Sequence, residues 1–267
     1  MMAGGTGLDP DAFAFLTAAG ITDATITAAI DTLVLDLKGY GIWTKMKAIY
    51  PFVGGTATTH KFNLKDPQDT NAAFRLFFVG GWTHSVNGAQ PNGTNAYADT
   101  FLNCLNNLTT GNAHISYYST TNSLTANNFY DAGASDNANT ANNNFALSLR
   151  RNLVGNPSTF DSVNGNTGRV SATVSTSDGF YIGSNENTNS RKLFKNAVLL
   201  NTNTNFDNGS QPNRTIYIGA INNNGTPAFY TNRNSALFSV GTALTDPEAA
   251  DFYTAVQAFQ TTLGRQV

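Results

Sequence analysis

Charge and cysteine are scarce in this sequence. Charged residues make up 12% of the 267 positions, and the formal net charge is −2 at pH 7. Because such a chain has no positive field that would gather phosphates, we expect no nucleic-acid partner. The single cysteine, Cys104, excludes an intrachain disulfide and a cysteine-based zinc motif. No run reaches the ~18 apolar residues of a membrane span, and the first residues lack a signal-peptide pattern, so we expect no membrane partner.

Glutamate is nearly absent, which bears on catalysis. A glycosidase needs two carboxylates beside the scissile bond, and a β-fold commonly places them at alternate positions of one strand. The two glutamates, Glu186 and Glu248, fall in a predicted turn and in the first turn of a predicted helix. The sequence therefore predicts that this protein is not an enzyme. A carbohydrate-active enzyme is the alternative, and its carboxylates would come from aspartates such as Asp131 and Asp161.

Asparagine and threonine supply the polar surface that charged residues do not. The chain has 35 of each, and all asparagines lie between Asn63 and Asn234. Threonine fits exposed strand positions, and asparagine tolerates the left-handed backbone of turns. This middle part contains short apolar or alternating runs separated by Asn, Gly and Ser, which is the spacing of an all-β fold. The predicted strands lie at residues 74–79, 114–119, 144–150, 169–175, 179–182, 191–200, 215–221 and 236–240.

Both ends of the sequence have helical periodicity instead. Two helices are predicted over residues 10–20 and 23–39, each with a capping residue at its start and a glycine at its end. Residues 41–52 predict a third short helix that ends near a proline. A C-terminal helix is predicted over residues 246–264, where apolar side chains recur every three or four positions. Helices thus flank a β-rich middle part.

An aromatic turn is the strongest candidate for a binding site. Trp82 and His84 follow a predicted strand, and Asn87 lies in the turn-rich stretch that ends at Tyr97. An exposed tryptophan can stack on a sugar ring while histidine and asparagine hydrogen-bond its hydroxyls. With Tyr130 as a further aromatic, these residues form the predicted glycan-binding site. The alternative for Trp82 is burial in the core beside a glycine bulge.

Two aspartates suggest a cation site. Asp131 and Asp136 bracket a stretch that is rich in the oxygen ligands that calcium accepts. The stretch lacks the ligand order and the final glutamate of an EF-hand loop, and the alternative is a turn whose side chains bond to the backbone. Calcium is the one cofactor that the sequence suggests, with Asp131 and Asp136 as its ligands.

Two stretches resemble known proteins. The first, DTLVLDLKGYGIWTKMKAIYPFVGG at residues 31–55 with HKFNLKDP at 60–67, resembles a recurrent module of virion structural and tail-associated proteins of bacteriophages. The second, RTIYIGAIN at 214–222 with LFSVGTALT at 237–245, is closed by a helix that ends in Leu-Gly-Arg. It is similar to the last strands of concanavalin A-like, laminin G-type sandwiches. The resemblance extends over nearly the whole chain, but only in the order of the segments. It identifies no residue that would bind a ligand.

This resemblance implies both a fold and a setting. The fold is mainly β: a concanavalin A-like jelly-roll sandwich of two antiparallel sheets, with N-terminal helices and a C-terminal helix. Residues 1–52 would form a helical attachment segment, and residues 53–267 the sandwich. The setting is the surface of a phage particle, where the N-terminal helices contact other virion proteins and the sandwich adheres to host or environmental glycans. A homo-oligomer is expected because such parts occupy symmetric positions.

Overall fold

Two β-sheets and a layer of helices form the structure, a computed structural model that describes residues 7–124, 129–136, 143–164, 167–206 and 209–267. The sheets are antiparallel apart from one short parallel pair, Ile221–Asn223 beside Ala132–Ser135. The predicted mainly β architecture, with two sheets and helices at both ends, is confirmed. Of the predicted attachment segment, residues 1–6 lie outside the described part of the chain.

The helices begin where the sequence places capping residues. Asp9 and Asp23 each accept a backbone N–H at the start of a helix, and the Glu248 side chain accepts the Thr245 N–H at 2.8 Å. In the described residues no helix is long and apolar enough to cross a membrane. The helices are α1 (Pro10–Ala19), α2 (Ala24–Gly39), α3 (Ala57–His60), α4 (Cys104–Asn107) and α5 (Asp246–Thr262).

The strands form two layers. The strands are β1 (Met46–Tyr50), β2 (Phe77–Val79), β3 (Trp82–Ser85), β4 (Gly88–Pro91), β5 (Tyr97–Asn103), β6 (Ala113–Ser119), β7 (Ala132–Ser135), β8 (Asn143–Ser148), β9 (Pro157–Asn164), β10 (Arg169–Thr173), β11 (Gly179–Asn187), β12 (Ser190–Lys195), β13 (Val198–Asn203), β14 (Thr215–Ile218), β15 (Ile221–Asn223), β16 (Thr226–Ala228) and β17 (Ser235–Gly241). The first sheet has the order β13-β12-β11-β6-β17-β4-β3, with β1 also paired to β17. The second has the order β10-β9-β8-β7-β14-β5-β2, with β15 beside β7 and β16 beside β15.

The prediction of a third helix over residues 41–52 is wrong. After one 3-10 turn, Met46–Tyr50 forms β1, which pairs with β17 so that Tyr50 lies opposite Phe238. Ile49 faces the helical layer, while Tyr50 faces the core between the sheets. Because both faces of β1 are buried from Ala48 to Tyr50, these residues are apolar without alternation, and such a short run does not distinguish a strand from a helix. The division of the chain at residue 52 stays a prediction.

Two predicted strands are each interrupted by a turn. The run at 191–200 contains β12 and β13, joined at Asn196 and Ala197, whose φ angles are 49° and 65°. Positive φ at two successive positions suits the tight hairpin turn that follows the twist of its strands. The run at 215–221 contains β14 and the start of β15, which are separated at Gly219 with φ of 89°. Local turn conformation therefore divides apolar runs that look continuous in sequence.

Both faces of the central strands of the first sheet, β11, β6 and β17, are buried. Val34 of α2 and Phe252 of α5 lie in one apolar cluster with Phe180 of β11, and the rings of Phe180 and Phe252 meet edge to face at 5.0 Å. Tyr181, the next residue of β11, enters the second cluster, between the two sheets. The helical layer and the outer face of the second sheet thus lie on opposite sides of the sandwich.

Candidate functional site

Trp82 lies at the edge of the sandwich, where its indole packs into the core. Its Nε1 donates to the carbonyl oxygens of Val79 and Tyr97, at 3.1 and 3.2 Å. The ring meets Phe78 at a centroid distance of 5.2 Å and 73°, and an added Cβ at Gly219 would lie 3.1 Å from it. The indole is therefore half-buried, and its N–H is already satisfied within the protein.

His84 belongs to a histidine pair beneath the same edge. Its Nδ1 lies 2.9 Å from Nδ1 of His60, and its ring meets Phe78 edge to face at 4.6 Å. Burial lowers the pKa of His84, and burial with the charges of His84 and Arg265 lowers the pKa of His60 to about 3. Both imidazoles are therefore neutral near pH 7, and one of them donates to the other.

Asn87 and Tyr130 lie in different surroundings from this pair. Asn87 is in the exposed turn between β3 and β4, and its carbonyl accepts from Nδ2 of Asn234 at 2.7 Å. The Tyr130 hydroxyl donates to Asp161 at 3.0 Å, and burial raises the pKa of this tyrosine. The glycan-binding role of these residues stays a prediction.

The predicted calcium ligands do not form a common site. Asp131 accepts from Nη1 of Arg233 at 3.0 and 2.9 Å, from the Thr231 hydroxyl and from the Leu149 N–H, both at 2.8 Å. Asp136 accepts from the Asn213 N–H at the other end of β7. The five positions from Asp131 to Asp136 span about 16 Å along an extended strand, whereas a calcium ion lies about 2.4 Å from each of its ligand oxygens. Asp131 is thus an internal ion-pair partner, and the two aspartates are too far apart to share a cation.

The remaining acidic candidates for catalysis are also in ion pairs. Asp161, whose side chain is 1% exposed, accepts from Nη2 of Arg169 at 2.8 Å. Glu186 lies 2.7 Å from Lys192. Glu248 lies 2.5 Å from Nζ of Lys45, and its side chain also caps α5. Each of these carboxylates is therefore bonded to a cation within the protein.

An aromatic surface occupies the outer face of the second sheet. Tyr97, Asp99 and Phe101 alternate along β5 with residues that point into the core. The strand register places Asp99 opposite Tyr217 of β14 on one side and opposite Phe77 of β2 on the other. Directly opposite residues have Cβ atoms about 5 Å apart, so two rings flank the carboxylate. We call these five residues the Asp99 platform.

The rings of the platform lie in two pairs. Tyr97 and Tyr217 are stacked, with centroids 4.5 Å apart and planes at 29°. Phe77 and Phe101 lie 6.5 Å apart at 54°, and the Phe77 side chain is 52% exposed. Phe77 is thus the most exposed ring of the platform, and Tyr97 and Phe101 are partly exposed, whereas Tyr217 is only 8% exposed and packs against Tyr97. The rings lie on the sheet face opposite the helical layer.

The carboxylate of Asp99 is partly desolvated. Burial raises its pKa, against the lowering effects of its hydrogen bonds with the Phe101 N–H and the Thr215 hydroxyl. Burial, followed by the charge of Asp99, raises the pKa of Tyr217 to about 12, and the same two causes raise the pKa of Tyr97. Both phenols are therefore uncharged near pH 7. Each can donate or accept a hydrogen bond.

Comparison with solved structures identifies the fold. Domain 4 of AbnA, a GH43 extracellular arabinanase of Geobacillus stearothermophilus, is similar over 78% of this chain and 98% of the domain, at 16% identity and a TM-score of 0.53. The chain is a jelly-roll β-sandwich. At this identity the similarity shows the fold alone.

Two further structures are similar at lower TM-scores. The NanB sialidase of Streptococcus pneumoniae matches 65% of this chain and 27% of its own, at 15% identity and a TM-score of 0.45. The CBM40 of the Ruminococcus gnavus IT-sialidase matches 54% of this chain and 82% of its own, at 15% and 0.41. No protein-family model and no curated protein matches the sequence.

The platform strand of the jelly roll bulges at Phe101. Thr215 pairs with Asn103 and Tyr217 with Asp99, so β5 has extra residues between the two pairs. Phe101 has a φ of 55°, and its N–H donates to Oδ1 of Asp99 at 2.8 Å. A side chain other than glycine costs about 1–2 kcal/mol in this conformation. Such strain next to an exposed ring is typical of functional positions.

Replacing Phe101 with glycine is expected to give a protein about 1 kcal/mol more stable to unfolding than the alanine variant at this position. Both variants lose the ring and its contact with Phe77. Glycine adopts a φ of 55° freely, whereas alanine keeps a Cβ in the strained conformation. Urea denaturation of the two variants measures the difference, and equal stabilities would show that Phe101 is not strained.

Sequence reasoning found Tyr97 and missed the rest of the platform. The segment YADTFLN of β5 alternates between outward and inward residues, and this local signal could have predicted the strand with Asp99 and Phe101 on one face. Phe77 lies within a predicted strand. No local signal places Tyr217 beside Asp99, because the two strands are far apart in the chain and meet through the order of the sheet.

Proposed function

We propose that this chain is a non-catalytic glycan-binding protein displayed on the surface of a bacteriophage particle. The Asp99 platform carries the proposal, because it puts the exposed ring of Phe77 and the partly exposed rings of Tyr97 and Phe101 around a polar group on the outer sheet face. Aromatic rings bind the apolar faces of sugars, and neighbouring polar groups orient the hydroxyls. Tyr97, one of the residues expected from the sequence, lies in this surface.

The fold and the acidic residues support a binding role. The arabinanase domain that shares the fold was solved in complex with arabinotriose, which supports an oligosaccharide as the class of ligand. The carboxylates of Asp131 and Asp161 are buried in ion pairs with arginines. A carboxylate held in this way is poorly suited to protonate a leaving group or to attack a sugar. Binding without hydrolysis is therefore the simpler proposal.

The virion setting rests on the resemblance of residues 31–55 and 60–67 to phage structural proteins. Exposed apolar side chains on the N-terminal helices support attachment to neighbouring virion proteins: Phe13 is 60% exposed and Leu35 is 51% exposed. We propose that these helices face the particle, that the platform faces outward, and that the chain is a homo-oligomer there. Mass spectrometry of purified particles tests the setting, and light scattering of the purified protein tests the oligomer.

Replacing Phe77 with alanine is expected to weaken glycan binding about tenfold, which corresponds to about 1.4 kcal/mol. Phe77 is 52% exposed, so its ring is available to a sugar and its loss changes little of the core. A glycan array identifies the oligosaccharide, and calorimetry then compares the two affinities. Phe13→Ala is the matched control, because it removes an exposed ring of equal size from the helical layer.

Two results would contradict the proposal. If the folded protein binds no oligosaccharide on the array, the platform has another use. If Phe77→Ala and Phe13→Ala bind as tightly as the unaltered chain, sugars bind elsewhere on the molecule.

A further inference from the structure

Asp99 is the charged member of the platform. It lies between the exposed Phe77 and the buried Tyr217 in the strand register. A ligand that stacks on either ring pair therefore lies close to a carboxylate. Because that carboxylate is partly buried, its charge is screened by solvent less than a fully exposed one.

The groups around Asp99 do not neutralise it. Its hydrogen-bond donors are the Phe101 N–H and the Thr215 hydroxyl, which are both uncharged. The arginine next to Thr215, Arg214, donates instead to the carbonyl of Asn213 and to Oδ1 of Asn224. In the described part of the chain, the groups that act on Asp99 include no cation. The platform thus holds a carboxylate that has no counter-charge among the described groups acting on it.

The other polar groups of the platform are neutral hydroxyls. Tyr97 and Tyr217 keep their protons near pH 7, because burial and the charge of Asp99 raise the pKa of both. Tyr230 lies close enough to both rings to interact with them electrostatically, and its hydroxyl donates to the Pro227 carbonyl at 3.1 Å. A sugar on this surface meets phenol groups and one carboxylate. Together these groups can accept hydrogen bonds from sugar hydroxyls and donate hydrogen bonds to them.

We infer that the Asp99 platform binds uncharged sugar rings and rejects sugars that carry a carboxylate. The inference rests on the proposed glycan-binding function and names the ligand class of the same site. The carboxylate accepts hydrogen bonds from sugar hydroxyls, and such charge-assisted bonds are stronger than those between neutral groups. An acidic sugar places a second negative charge beside Asp99. Among the described residues that act on Asp99 there is no cation to offset the repulsion between the two carboxylates.

A glycan array with matched pairs tests the ligand class. Each neutral oligosaccharide is paired with its sialylated or uronic-acid counterpart, for example lactose with sialyllactose. The unaltered protein is expected to bind the neutral member about tenfold more tightly. Asp99→Asn keeps an acceptor for the Phe101 N–H and removes the charge, so the preference is expected to fall to about twofold or less.

Salt dependence supplies a second test that needs no variant. Repulsion between Asp99 and an acidic sugar weakens as ions screen it, so the preference of the unaltered protein is expected to decrease between low salt and about 1 M salt. Equal binding of neutral and acidic members, or a preference that is the same in Asp99→Asn, overturns the inference and leaves the proposed function in place. Binding to neither member by folded protein overturns the proposed function itself.

Discussion

Replacing Asp131 with alanine is expected to lower the free energy of unfolding by about 3–5 kcal/mol. Asp131 and Arg233 form an ion pair in which both side chains are 0% exposed. Nη1 of Arg233 lies 3.0 and 2.9 Å from the two carboxylate oxygens. Without the carboxylate, a guanidinium remains buried with no counter-charge, and this desolvated charge accounts for most of the loss. Urea denaturation of the variant and the unaltered protein measures the change.

Two further variants separate this cause from others. Asp69→Ala breaks an exposed ion pair with Lys61 and Arg75, and is expected to cost less than about 1 kcal/mol. The double variant of Asp131→Ala with Arg233→Met is expected to be more stable than Asp131→Ala alone, because no buried charge remains. If Asp131→Ala is as stable as Asp69→Ala, loss of the carboxylate does not leave a costly buried charge.

The same ion pair positions the platform. The Gly219 N–H, just after β14, donates to the Asp131 carbonyl at 2.8 Å, and the Thr231 N–H donates to the Gly219 carbonyl at 2.9 Å. The Thr231 hydroxyl donates to the Asp131 carboxylate at 2.8 Å. These bonds join the end of the strand that carries Tyr217 to the segment that carries Tyr230. The buried charge pair therefore supports the surface that we propose binds sugars.

Lowering the pH from 7 to 5 is expected to reduce the free energy of unfolding by about 4 kcal/mol. His60 and His114 are 1% and 0% exposed, and burial is the main cause that lowers their pKa to about 3 and about 4. Both stay neutral when folded, and both take up a proton on unfolding below the ordinary pKa of about 6.5. The two neutral histidines therefore contribute fully to stability above about pH 6.5. As the pH falls from there towards their folded-state pKa values, the free energy of unfolding decreases by about 1.4 kcal/mol per pH unit for each histidine.

The variant His60→Gln isolates one of these groups. It is expected to lose about 2 kcal/mol between pH 7 and 5, half the loss of the unaltered chain. Asp9 and Asp69, whose pKa values are lowered, lose their contributions at more acidic pH, while the raised pKa of Asp99 opposes the loss. Urea denaturation at both pH values measures the effect. If the free energy of unfolding is the same at pH 7 and pH 5, the pH dependence assigned to His60 and His114 is wrong.

The ends of the fold were predictable because their signals are local. Asp9, Asp23 and Glu248 cap helices that also have apolar residues at helical spacing. The asparagine-rich middle part likewise indicated strands joined by turns. Strand boundaries were less accurate where a turn interrupts an apolar run, as at Asn196 and Gly219.

Most of the candidate site could not be predicted from the sequence. Trp82 is the most conspicuous aromatic of its segment, yet its N–H bonds to Val79 and Tyr97 within the fold. Asp99 is an ordinary residue in the sequence and becomes notable through the rings of Phe77 and Tyr217 on either side. Burial and strand order, which depend on the whole chain, distinguish these two cases.

The sequence by itself determined the helices at both ends, the β-rich middle part and the low charge of the protein. These properties depend on caps, on periodicity and on composition, which act between near neighbours. The tertiary structure decided that Met46–Tyr50 is a strand, that Asp131 pairs with Arg233, and that Asp99 lies among aromatic rings. Each of these depends on a partner far away in the chain, and a partner is chosen by burial and strand pairing.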